Sequence, residues 1–219
     1  MSVVDLTVAI ERDAVVGFLG YPPGREPPPR IGRLLAEVLP EARALARARG
    51  TTMPLDAARS VEIGLEPEVA SGLVIGLCTA GPGIEGRART LAAEGDATRA
   101  LLFDAAGSAA AEEAADLLGA SVCGASLPEE HSALECRLSP GYGRWTLEWQ
   151  RALFALLPHR EVGVELLGSL LMVPRKSISF AMWLGAKTLP AKGLAGCARC
   201  TLTHCRYRRA AVAQEEHLR

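Results

Sequence analysis

Apolar residues recur along this chain with two different periods, and the switches between them outline its elements. Residues 2–10 alternate apolar and polar, which predicts a half-buried strand over 3–10. Residues 12–21 read as a short helix closed by Gly20, and 22–29 are too rich in proline to be anything but a loop. Ile31, Leu34, Leu35, Val38 and Leu39 fall on one helical face and predict a helix over 31–49. Residues 61–65 and 72–79 read as strands, the second apolar throughout and so covered on both faces. A short helix over 87–94 is followed by a long one over 97–120. That long segment is rich in alanine, with Glu112, Glu113 and Asp116 bunched on part of its surface. A further helix is expected over 147–157, then short strands over 162–167, 170–173 and 177–184. Helices and strands grouped in this way, without regular alternation, predict an α+β fold with a largely antiparallel sheet.

Length and charge narrow the class. At 219 residues the chain can build a full core, and its net charge of −1 supplies no field to draw it to nucleic acid or to an anionic membrane. Glu11, Arg12 and Asp13 interrupt the apolar start, and no apolar run reaches membrane-spanning length. A cytoplasmic protein is therefore expected.

Two clusters carry chemistry. Gly81-Pro82-Gly83-Ile84-Glu85-Gly86 has the G-x-G-x-x-G spacing after an apolar strand, with Asp104 further on, as in a dinucleotide-binding βαβ unit. Against that alternative, the rest of the chain offers no further βαβ units, and the 97–119 segment reads better as one helix. Three of the six cysteines, Cys197, Cys200 and Cys205, crowd into the tail beside His204. Such crowding suits zinc or an iron–sulfur cluster better than disulfides. The spacing differs from the Cys-x-x-x-Cys-x-x-Cys signature of radical S-adenosylmethionine enzymes. Cys78, Cys123 and Cys136 read as small buried apolar residues.

The segment Arg137-Leu138-Ser139-Pro140-Gly141-Tyr142-Gly143 resembles the Arg-x-x-x-Gly-Tyr signature of the activation domain of vitamin B12-dependent methionine synthase. A second motif follows in order: Ser169 to Val173, then Pro174, then Ser177-Ile178-Ser179, similar to the family's apolar strand, Pro and Ser-x-Ser ending. The resemblance implies a bent, largely antiparallel sheet flanked by helices over 1–186, with a cysteine-bearing extension over 187–219. It also implies an S-adenosylmethionine-binding activation protein, a methyltransferase component, that supports reductive methylation of cob(II)alamin. The cobalamin would be carried by a partner, either a corrinoid protein or a B12-dependent methionine synthase subunit, and an electron donor would complete the system. No Asp-x-His-x-x-Gly cobalamin motif is present in this chain.

By the same resemblance Arg137 would take the ligand carboxylate, and Tyr142 the region beside the sulfonium. Backbone near Gly141 and Gly143 would approach the amino acid or ribose, and Ser177 and Ser179 would line the pocket. Arg137 and Ser179 are therefore expected to face one cleft. These residue types suit the chemistry: a guanidinium fork matches a carboxylate, glycine permits close approach, and an aromatic face attracts a cation. The family's N-terminal acidic motif, which would hold the ligand ammonium, has no counterpart here. Asp5 and Glu11 are the candidates for that role. A reading from another class is a non-catalytic metal or iron–sulfur accessory or electron-transfer protein for corrinoid enzymes.

Overall fold

In the computed structural model the described residues are 2–22, 24–65, 72–126, 137–142 and 145–184. Strand β1 (Val4–Leu6) leads through helices α1 (Arg12–Phe18) and α2 (Pro29–Leu45) to β2 (Ala48–Leu55). Helix α3 (Ala57–Val61), strand β3 (Gly72–Thr79), and helices α4 (Gly83–Ala93) and α5 (Ala97–Ser126) follow. The chain then runs through β4 (Arg137–Leu138), α6 (Gln150–Leu156), α7 (His159–Val162), β5 (Glu165–Leu166), β6 (Met172–Val173) and β7 (Ser177–Leu184). Among the described residues β1-β2-β3-β7-β4 form one sheet in that order, every neighbouring pair antiparallel, and β5–β6 form a separate hairpin.

Each face of the sheet has its own core, because alternate residues of a strand point to opposite faces. On one face Cys78, Phe180 and Met182 pack under α5, with α1, α2 and α4 around it. On the other, Ile75, Leu77, Leu138 and Ala181 pack with Trp145, Leu153 and Phe154. Helix α5 packs on the sheet through an inner face built of small residues, among them the buried Ala106, Ala110, Ala111 and Ala114. A Cβ added to Gly50 would come within 2.4 Å of Leu118, so the strand beneath must also be bare at that point. The helix starts at Asp96, whose carboxylate accepts from the Arg99 N–H at 2.9 Å; that hydrogen bond lowers the Asp96 pKa.

Several sequence expectations change. Residues 48–55 form a strand where the helix pattern was extended to 49, so α2 ends at Leu45. Residues 57–61 are helical, capped by Asp56 at 2.8 Å to the Arg59 N–H, where a strand was expected over 61–65. The N-terminal strand is confined to residues 4–6, because the chain leaves the sheet edge at Thr7 and is clamped further on. Glu113 of α5 accepts from the N–H groups of Ala9 and Ile10, each at 2.8 Å, while Arg43 donates to both carbonyls at 2.7 and 3.0 Å. This double clamp holds fully buried Ile10 at a φ of 49°, a conformation costly for a β-branched residue.

The dinucleotide alternative is overturned by topology and by the glycines themselves. Strand β3 is antiparallel to both neighbours, so no βαβ unit exists around the motif. A Cβ on Gly81 would lie 2.9 Å from the Arg47 carbonyl oxygen, and one on Gly83 2.6 Å from that of Leu45. The bare faces of Gly81 and Gly83 are thus packed against the chain's own α2–β2 connection.

Candidate functional site at the sheet edge

Strand β4 is only two residues long, yet it fixes the direction of two side chains. Arg137 pairs with Met182 and shares its face, toward α5, whereas Leu138 pairs with Ala181 and turns into the other core. Helix α5 meets this edge with Asp104, Ser108, Glu112 and Asp116, spaced four apart and so aligned along one ridge. A cation from the sheet engages each end of the ridge. Lys176 Nζ lies 2.7 Å from Asp104 Oδ1 and 3.0 Å from Ser108 Oγ. Arg137 Nη2 donates to Glu112 Oε2 at 2.7 Å, and its Nη1 lies 3.0 Å from Asp116 Oδ1. The guanidinium also sits over the Phe180 ring, 5.8 Å from its centroid.

The Arg137 side chain is 12% exposed. Its Nη1 is buried, and although it is close to Asp116 the alignment is too poor for a hydrogen bond, so that N–H has no hydrogen-bond partner. Both arms of the guanidinium are thus drawn toward α5 carboxylates, one through a hydrogen bond and one through the ion pair alone. Beneath it the Cys78 thiol, buried against the Ala111 carbonyl, is pushed up to about 12, chiefly by desolvation, which the Arg137 charge partly offsets.

The Arg-x-x-x-Gly-Tyr turn is held from the second core. Trp145 is buried and donates from Nε1 to the Ile63 carbonyl at 2.7 Å. Its carbonyl accepts from the Gly141 N–H at 2.7 Å, and its own N–H donates to the Tyr142 carbonyl at 3.1 Å. Gly141 has a φ of 96°, a conformation that favours glycine, and Tyr142 is left 56% exposed at the rim. Gly143 lies outside the described residues.

The structure does not bring the two motifs onto one face. Ser177 and Ser179 share a face with Ala181, opposite Phe180 and Met182, so their side chains point away from the Arg137 guanidinium. Both serines are buried, and Ser177 Oγ donates to the Pro174 carbonyl at 2.7 Å. The expectation that Arg137 and Ser179 face one cleft is corrected by this parity: 179 and 182 are three residues apart, and Arg137 pairs with 182. Of the acidic candidates, Asp5 pairs with Arg49 on β1, four strands from β4 and so about 19 Å away at the usual strand spacing. Glu11 precedes α1 at its N-cap with no side-chain cap bond. The acidic neighbours that Arg137 does have are Glu112 and Asp116, whose spacing of four marks a shared ridge.

Cys197, Cys200 and Cys205 lie outside the described residues, as does Cys136. Among the described residues no group of three or more His, Cys, Asp or Glu is placed to hold a metal ion. No helix among them is long and apolar enough to cross a membrane.

No protein-family model matches the chain, and no curated protein matches it. A crystal structure described as the MetH reactivation domain bound to AdoHcy does match, with a TM-score of 0.59 at 15% sequence identity. The match covers 86% of this chain and 80% of that one. A mixed α+β chain with a five-stranded antiparallel sheet between helices, it has the fold of the MetH reactivation domain.

Proposed function

We propose that this chain is an activation protein that binds S-adenosylmethionine at the edge of its sheet and presents it to a corrinoid protein. The observation that carries the proposal is the state of Arg137: the first residue of an Arg-x-x-x-Gly-Tyr turn, 12% exposed, its guanidinium held beside Glu112 and Asp116 at 2.7 and 3.0 Å and over the Phe180 ring. A ligand carboxylate suits that guanidinium fork in charge. The shared fold supports the reading, since the solved relative is described as bound to AdoHcy, the thioether counterpart of the proposed ligand.

In this reading Arg137 binds the carboxylate, with Phe180 beneath it to keep the guanidinium flat against the strand. Gly141 lets backbone approach the ligand without a Cβ, and exposed Tyr142 closes over the sulfonium side. Ser177 and Ser179 stabilise the strand from its far face and take no part in binding. The ligand supplies a methyl group on a sulfonium, the acceptor is a corrinoid carried by a partner, one electron comes from a separate donor protein, and a neutral thioether leaves. Since that leaving group needs no proton, the site needs no general acid; the protein contributes positioning and electrostatics. The cysteines at 197, 200 and 205 are proposed as a metal or iron–sulfur site of the extension.

Calorimetric titration tests the ligand reading. The expected result is saturable binding of S-adenosylmethionine and none of NADH; tight NADH binding with none of S-adenosylmethionine would overturn it.

A further inference from the structure

We infer that Trp145 is a positioning residue of this site: it ties the Gly141–Tyr142 turn to the Ile63–Gly64 peptide and so sets where Tyr142 stands over the ligand. The inference rests on the ligand reading above and assigns a role to a tryptophan outside the Arg-x-x-x-Gly-Tyr motif. The turn itself is short. Its Tyr142 N–H donates to the Ser139 carbonyl at 3.2 Å, with Pro140 second and Gly141 third at a φ of 96°, an order that suits a type II turn. It follows a strand of only two residues, so its position depends on what grips it from beyond.

Trp145 grips it with both of its backbone groups. The Trp145 carbonyl accepts from the Gly141 N–H at 2.7 Å, and the Trp145 N–H donates to the Tyr142 carbonyl at 3.1 Å. The side chain, 1% exposed, carries that grip to a distant part of the chain. It packs in the second core with Ile63, Leu138 and Leu153, and its Nε1 donates to the Ile63 carbonyl at 2.7 Å. The next residue, Gly64, has a φ of 71°, and a Cβ there would lie 2.2 Å from the Trp149 ring. One peptide is thus held by two tryptophans, and the first of them carries the turn.

The two ends of the site are therefore positioned from opposite faces of the sheet. Arg137 turns toward α5, beside Glu112 and over Phe180, whereas the Gly141–Tyr142 end is tied to the second core. Of the bonds Trp145 makes, only that of the indole depends on the side chain. Trp145→Phe keeps a ring in the core and releases the anchor, so the turn is free to shift and Tyr142, 56% exposed, shifts with it.

The experiment measures S-adenosylmethionine dissociation constants by calorimetry for the full chain, Trp145→Phe, Tyr142→Ala and the double variant, with melting temperatures alongside. An exposed aromatic face attracts a cation modestly, so Tyr142→Ala should weaken binding about two- to fivefold, and Trp145→Phe by a similar factor. Because both changes act on one contact, the double variant should lose less than the product of the single losses. The melting temperature reads packing alone, and Trp145→Phe should lower it equally whether position 142 holds Tyr or Ala. Gly64→Ala, whose methyl meets the Trp149 ring, disturbs the same anchor with Trp145 intact and should show the same pattern if Trp145→Phe does not fold. Unchanged affinity in the anchor variant, or a double variant that loses the full product, would overturn the inference while leaving the ligand reading intact. Wild-type protein that binds no S-adenosylmethionine would overturn the ligand reading, and the inference with it.

Discussion

Gly76 and Phe180 couple the core to the candidate site. They are directly opposed across β3 and β7, and a Cβ built on Gly76 would lie 2.3 Å from the far edge of the Phe180 ring. Phe180 is fully buried under α5 and cannot swing to solvent. Gly76→Ala therefore forces either a strained rotamer or a strand shift, at the usual overpacking cost of about 1–3 kcal/mol. For a chain of this size that lowers the melting temperature by about 2–12 °C. Phe180→Leu removes the obstructing ring edge and by itself costs about 1–2 kcal/mol through the cavity it leaves. In the double variant the new methyl enters that space, so the double cost falls below the sum of the singles by at least about 1 kcal/mol. Urea denaturation of the four proteins measures this coupling directly. Additivity within about 0.5 kcal/mol would refute the packing relation, and with it the role of Phe180 as the floor on which Arg137 rests.

Other consequences are checked as readily. Glu113→Ala leaves the Ala9 and Ile10 N–H groups without their acceptor and should cost about 2–3 kcal/mol in denaturant unfolding, with the N-terminal segment gaining hydrogen exchange first. Cys78, its thiol raised to about 12 by burial, should resist alkylation in the native protein at pH 8 and react only once the chain is unfolded, as peptide mass spectrometry would show. Because the folded value is raised, the stability linked to this thiol is present below the ordinary thiol value of 9.0 and declines as pH rises toward about 12. Metal analysis of protein purified without air, beside a Cys197→Ser/Cys200→Ser/Cys205→Ser variant, should find zinc or iron in the first alone; equal, negligible metal in both removes the metal site from the account.

Elements with a strong period were legible in the sequence: α2 from its apolar stripe, β3 from its unbroken apolar run, and α5 from its length and small residues. Strand β2 was hidden because Ala48-Arg49-Gly50 continues a helix-forming composition, and only pairing with β1 and β3 makes it a strand. The short helix α3 was hidden for the opposite reason, since Val61 and Ile63 look like strand residues and only the Asp56 cap declares a helix start. At the candidate site, motif order pointed to Arg137 and Tyr142. It could not reveal that the serines face away, because that depends on the register of β4 on β7. The bunched acidic residues of α5 were visible, but their division was not. Glu113 turns to the N-terminal clamp, while Glu112 and Asp116 turn to Arg137.

The central claim is that Arg137, on the α5 face of the sheet edge, holds the carboxylate of S-adenosylmethionine. Calorimetric titration of that ligand into wild type, Arg137→Ala and Ser179→Ala tests it most directly. Loss of one charged hydrogen-bond partner should weaken binding to Arg137→Ala by about 1.5–3 kcal/mol, or roughly 10- to 150-fold, while Ser179→Ala on the opposite face stays within about twofold of wild type. Unchanged affinity in Arg137→Ala, or a larger loss in Ser179→Ala, would contradict the account.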